Sequence, residues 1–176
     1  MTVRFRLDTH LACAPERAFA LSLDIGAHER SLASTGERAV GGVTAGTIGL
    51  GESVTFRARH LGVVWRLTSR IVVLGPRRRF RCDAPAADRP CRRGEAPHRF
   101  VDEQVRGPFA RFRHEHRFER AGTGTRMLDD VVVTAPFGPL GRLAEVVVLG
   151  RYLQRLLTAR NTALAAEAAA VSGADE

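Results

Sequence analysis

Apolar and polar residues alternate with period two through much of the chain, and each such run predicts a strand with one wet and one dry face. Val3, Phe5, Leu7, Thr9 and Leu11 fall on one side of a first strand over 3–13, with Arg4, Arg6, Asp8 and His10 on the other. In "ESVTFRARH" the apolar set is Val54, Phe56 and Ala58 with His60, against Thr55, Arg57 and Arg59. In "VVWRLTSRIVVL" it is Val63, Trp65, Leu67, Ile71 and Val73, against Arg66, Thr68 and Arg70. Three further strands are expected over 100–106, 110–119 and 125–134. The run "RFRHEHRF" (111–118) sends Phe112, His114, His116 and Phe118 to one face and Arg111, Arg113, Glu115 and Arg117 to the other. The charged set belongs in water, so both histidines point to the dry side.

Period-two patterning gives way to helical spacing twice. "APERAFALSL" places Pro15 and Glu16 in a first helical turn, where a missing N–H and a negative charge are both favourable. A short second helix is expected within 25–33. The glycine-punctuated "GERAVGGVTAGTIGLGES" is expected to form short strands broken by turns or bulges. From Arg142 to about Ala170 a long helix carries Leu143, Val146, Val147, Gly150, Leu153, Leu157 and Leu164 in one stripe. Leu149, Tyr152 and Leu156 widen that stripe, and Arg151 and Arg155 lie near its edge. Some 29 residues at about 1.5 Å each reach about 43 Å, enough to cross a sheet. A helix with so broad an apolar stripe needs a large dry surface, and the sheet is the one on offer. The expected fold is therefore α+β: a helix-grip arrangement with two short helices after strand 1. A curved antiparallel sheet of about six to seven strands wraps the long C-terminal helix, leaving a cavity between them.

The 176 residues fit one domain, read as 1–171 with a frayed tail over 172–176. Residues 76–99, rich in Pro, Ala, Asp and Arg, lack a core-forming pattern and read as a long inserted loop. The net charge is +8 and every basic residue is arginine. Those arginines are spread along strand faces and the last helix, with no helix-turn-helix, zinc-finger or aromatic RNA-binding signature. No nucleic-acid partner is expected, and the charge reads as compositional bias. Contact of a basic face with a membrane surface or an acidic protein is a further reading. No run of eighteen apolar residues predicts a membrane span. "MTVRFRLDTH" has no apolar leader core, which points to the cytoplasm. Cys13, Cys82 and Cys91 form no CxxC pair and are expected as free thiols.

His60, His114 and His116 all fall on inward faces beside Phe56, Trp65, Phe112 and Phe118, an aromatic lining with polar points suited to a small molecule. Met127, on the dry face of its strand, and Leu153 of the long helix complete the expected ligand-binding wall. Asp129 shares its face with Thr125, Met127, Val131 and Val133, while Asp102 alternates between Phe100 and Gln104. Either carboxylate can orient a histidine for general acid–base work, which makes His60, His114, His116 and Asp129 the catalytic candidates. The abundance of arginine makes a structural salt bridge the simpler role for each acid. No GxSxG, Walker loop or dinucleotide-binding glycine pattern is present. HxH on a strand is also a metal-ligand spacing, which His60 or Asp129 could complete. Glu119 falls on the wrong face for a cupin-type set, so neither a metal nor another cofactor is expected.

The motifs "HERS", "GERAVGG", "GLGESVTFRARHLGV", "RFVDEQVRGPF", "HEHRF", "GTRMLDDV" and "APFGPLGRL" resemble the START/Bet v1-like (SRPBCC) superfamily. Within it they resemble the bacterial polyketide cyclase/dehydrase and lipid-transport group. The resemblance covers nearly the whole chain, and the 76–99 segment departs from it. It implies a helix-grip fold that binds lipids, steroids, quinones or polyketides, and only some such proteins are enzymes. The expected function is binding of a small hydrophobic ligand of lipid, isoprenoid or polyketide type. The alternative is a polyketide cyclase/aromatase or dehydratase in which an inward histidine moves protons.

Overall fold

In the computed structural model of the chain, residues 2–60, 62–76, 98–135 and 142–172 are described. Strand β1 (Thr2–Leu11) is followed by helices α1 (Pro15–Leu23) and α2 (Ile25–Ser31) and a short 3-10 turn (Ala33–Thr35). Six strands follow: β2 (Arg38–Gly42), β3 (Ser53–His60), β4 (Val63–Pro76), β5 (His98–Arg106), β6 (Arg111–Ala121) and β7 (Gly124–Thr134). Helix α3 (Arg142–Ser172) ends the fold. The strands form one antiparallel sheet in the order β1-β7-β6-β5-β4-β3-β2, so every neighbour except the β1–β7 pair is consecutive in sequence. The helix-grip architecture expected from the patterning is the architecture of the chain. Among the described residues, no helix is long and apolar enough to cross a membrane.

The alternation places its dry faces where expected along β1, β3, β6 and β7. Strand β4 departs from it. Its register against β5 shifts between Ile71 and Val73, so Ile71 is buried while Leu74, not Val73, packs against the core. Val73 instead pairs with Val101. A bulge adds one residue to one strand and changes which side the next residue faces. Val63, also expected inward, is 59% exposed. Within "GERAVGGVTAGTIGLGES" Arg38–Gly42 forms a strand and Ser53 begins β3; the residues between are irregular apart from the bridge of Thr47 to Asp24.

That bridge fixes the break between α1 and α2. Asp24 is extended (φ −77°, ψ 122°), and its carboxylate accepts from Ala27 N at 2.6 Å, capping α2. Backbone bonds Ile25 N to Gly46 O (2.9 Å) and Ile48 N to Leu23 O (3.1 Å) tie the break to the segment before β3. Leu23, Ile25 and His28 are thereby held over the sheet. Helix α3 lies close to β1 at Gly150, where an added Cβ would sit 3.0 Å from Val3 Cγ1, so any larger residue would require Val3 to shift.

Two apolar clusters fill the interface. One joins α1 and the C-terminal half of α3 to the sheet through Leu23, Phe100, Phe118, Met127 and Leu164. The other joins Phe109, Val131, Val133 and Leu153 with half-buried Trp65 and Tyr152. Cys13 is buried in the first cluster, and that burial pushes its thiol pKa up. The expected inserted loop and the thiols Cys82 and Cys91 lie, apart from Pro76, His98 and Arg99, outside the described residues, as does the end of the tail.

Candidate functional site

Between the clusters lies a cavity of about 160 Å³. Its apolar wall includes Phe56, Ala58, Trp65, Ile71, Phe112 and Leu157. Leu153, expected there, also lines it. Phe118 and Met127 do not: both are 0% exposed and belong to the sealed core beside α1. They share the inward faces of β6 and β7, but Phe19 packs edge-on against Phe118 and Ser22 of α1 lies over Met127. Facing inward puts a residue under a helix as readily as beside a space.

The polar centre is built from facing strands. Register pairs His116 with Asp129 across β6–β7, and Asp102 with His114 across β5–β6. Asp129 is fully buried and Oδ1 receives both imidazoles: His114 Nε2 at 3.0 Å and His116 Nδ1 at 2.6 Å. The first contact is a hydrogen bond; the second is short but poorly aligned for one, so it counts as an ion pair. His116 Nε2 lies 3.5 Å from Asp102 Oδ1, and its ring stacks on Phe100 at 4.1 Å. The two imidazoles lie 3.8 Å apart between centroids. Asp102 also accepts from Ser69 Oγ at 2.8 Å. The arginine salt bridges expected for Asp102 and Asp129 are absent among the described residues: both acids serve histidines.

Burial and charge then separate the groups. Burial pushes the pKa of His114 down, His116 pushes it further, and the neighbouring carboxylates only partly oppose this. Burial also acts downward on His116, but Asp129 and Asp102 outweigh it and hold the pKa up. Burial acts upward on both acids and is overcome by the histidines. Asp102, helped by Ser69, falls to about 2, and Asp129 falls well below the usual carboxylate range. An ionised Asp129 can only accept, so neutral His114 carries its proton on Nε2 and its lone pair on Nδ1.

Helix α3 contributes two residues that pattern reading missed. Asn161, 2% exposed, donates Nδ2 to Asp129 Oδ2 at 2.6 Å and also reaches Thr9 Oγ1 at 3.1 Å. Arg160, 4% exposed, lines the cavity. Both sit three and four residues after Leu157 and before Leu164, inside the apolar stripe, and that spacing was the available signal. His28 and Glu37 were also missed; they pair at 2.7 Å on the cavity wall, with His28 stacked on Phe56 at 4.3 Å. His60 stands apart from the other two inward histidines. Its Nδ1 lies 2.7 Å from the Tyr152 hydroxyl, its ring meets Trp65 edge-on, and burial pushes its pKa down.

Asp102, His114 and His116 each place a potential ligand atom within 4.8 Å of the others, a spacing a divalent ion can use. Asp129 would then orient the imidazoles from behind. Against this, His116 faces a carboxylate with each nitrogen, which favours the imidazolium, and a protonated ring is not a ligand.

The fold recurs in solved structures. The Zhui aromatase/cyclase from a Streptomyces species superposes with a TM-score of 0.66 at 14% identity, over 96% of this chain and 94% of that one. A START superfamily protein from Mycobacterium smegmatis gives 0.60 at 11% identity, covering 97% and 98%. The di-domain aromatase/cyclase StfQ of the steffimycin biosynthetic pathway gives 0.64 at 14%, covering 98% of this chain and 52% of that one. At such identities the likeness is one of fold. No curated protein sequence matches. The family model for polyketide cyclase / dehydrase and lipid transport matches residues 2–169, so the chain belongs to that family.

Proposed function

We propose that the protein binds one small hydrophobic molecule of lipid, isoprenoid or polyketide type in the cavity between the sheet and α3. The observation that carries this reading is the cavity itself, walled by aromatic and aliphatic side chains, with a compact polar group at His114, His116 and Asp102. Ligand sites combine mostly apolar walls with a few placed polar groups in this way. Native mass spectrometry of the purified chain tests it. The expected result is a non-covalent adduct, or uptake of an added apolar ring compound, that A58W abolishes by filling the cavity. A bare chain that takes up no such compound overturns the reading.

A second reading rests on a separate observation, the opposite pKa displacements of two adjacent histidines. Groups whose environments push their pKa values apart suit paired acid and base roles. On a β-hydroxy carbonyl substrate, neutral His114 would take the proton beside the carbonyl. Charged His116 would protonate the departing hydroxyl. The C–O bond breaks, a C=C bond forms, water leaves, and solvent exchange restores both rings. The test is loss of one water from a β-hydroxy thioester, followed by mass. H116F should cut turnover about 100-fold or more while the substrate still binds. Unchanged turnover would remove His116 from the chemistry.

A further inference from the structure

Arg160 differs from the arginines that pair across the outer face of the sheet. On the outer face of the sheet Arg113 pairs with Glu103, Arg117 with Asp130, and Arg126 with Asp8, although water already solvates them in part. Arg160 is nearly sealed from solvent and lines the cavity, yet among the described residues it forms no ion pair. Its one side-chain hydrogen bond among those residues is long, 3.4 Å from Nη1 to Asn161 Oδ1. Taking a guanidinium out of water is costly unless a counter-charge and hydrogen bonds replace the water. The nearby carboxylates are engaged elsewhere. Asp129 serves both histidines, Asp102 serves His116 and Ser69, and Asn161 donates its amide to Asp129 while accepting from Arg160. A neutral amide therefore stands where an acid would have neutralised the arginine.

We propose that Arg160 is the receptor for an anionic oxygen group on the ligand, a carboxylate or a phosphate ester. The inference rests on the cavity reading above and names the class of molecule it takes. Five donors in a planar fork match two oxygens of such a group side by side. Trp65, Phe112 and Leu157 provide the apolar wall for the rest of the molecule. A dry cavity of about 150 Å³ accommodates benzene, so about 160 Å³ here takes a body of about that size. The ligand is an amphiphile, with a ring-sized apolar part and one negatively charged end directed at α3.

Isothermal titration of the full chain with benzoate, phenyl phosphate and neutral benzyl alcohol tests this. At least one acid should bind about ten-fold or more tightly than the alcohol, and the better acid identifies the oxygen group. R160M, which keeps the length and apolar stem, should lose that preference while still binding the alcohol. R160Q serves if R160M does not fold. Equal affinities for acids and alcohol in the parent chain, or an undiminished preference in the variants, overturn the assignment and leave the cavity reading standing. Failure of all three compounds to bind removes the cavity reading and this inference with it.

Discussion

Asp129 and Asp130 are neighbours on β7, carry the same charge and meet opposite surroundings. Asp130 lies on the outer face between Arg6 and Arg117, with its side chain 31% exposed. Asp129 is sealed on the inner face between two imidazoles and an amide. The same contrast separates His116 from Arg117 and Asp102 from Glu103. Outer charges are solvated, and their pairing adds little to what water already supplies. Inner charges have lost that water and depend on one another, so removing any one leaves its partners stranded. Two adjacent residues on a strand thus divide a solvated, charged surface from a buried cluster of mutually dependent charges.

The largest expected break in this contrast comes from D129A, which strands two imidazoles and Asn161. It should lower stability by about 3–5 kcal/mol in chemical denaturation, against less than about 1 kcal/mol for D130A. Equal losses would erase the distinction.

H116F should cost about 1–3 kcal/mol at pH 6, and the penalty should depend on pH. Because the folded-state pKa of His116 is raised, its contribution is fully present below the unfolded value, about 6.5, and is lost as pH rises through the higher folded value. The gap between parent and H116F should therefore narrow from pH 6 to pH 9 in matched denaturation curves. A gap constant over that range would place His116 among ordinary core residues.

Acid should separate the faces in the other direction. The depressed pKa values of Asp102, about 2, and of Asp129 stabilise the fold above about pH 4, and that stability is lost as pH falls toward 2. D102N should flatten part of this acid limb; a limb of unchanged depth would count against the inner ion pairs. The smallest effect is expected for E103A, which breaks the outer pair with Arg113. It should cost about 0.2–1 kcal/mol, vanishing at high salt.

The two faces were not equally legible in the sequence. Alternation alone sorted His114, His116 and Asp129 inward and their arginine neighbours outward, because a half-buried strand can expose only one side. It could not distinguish Phe118 and Met127, sealed beneath α1, from Phe112, which meets the cavity. That difference depends on where a helix from another part of the chain comes to rest. The bulge that turns Val73 outward also escaped, since one extra residue leaves no mark in composition. Arg160 and Asn161 were hidden by their own polarity. A search for apolar stripes passes over the polar residues inside them, although on a buried face those are the residues that most need a reason. The pairing of Asp102 and Asp129 with histidine rather than arginine depends on register between strands, which the pattern of one strand does not contain.

The central claim is that burial and the neighbouring His116 favour the neutral form of His114, while Asp129 and Asp102 favour the charged form of His116. The most direct measurement is a pH titration of the histidine ring nitrogens by NMR on the unmodified protein. His116 should stay charged above about pH 6.5 while His114 stays neutral below it. Two rings titrating together near pH 6.5, as exposed histidines do, would contradict it.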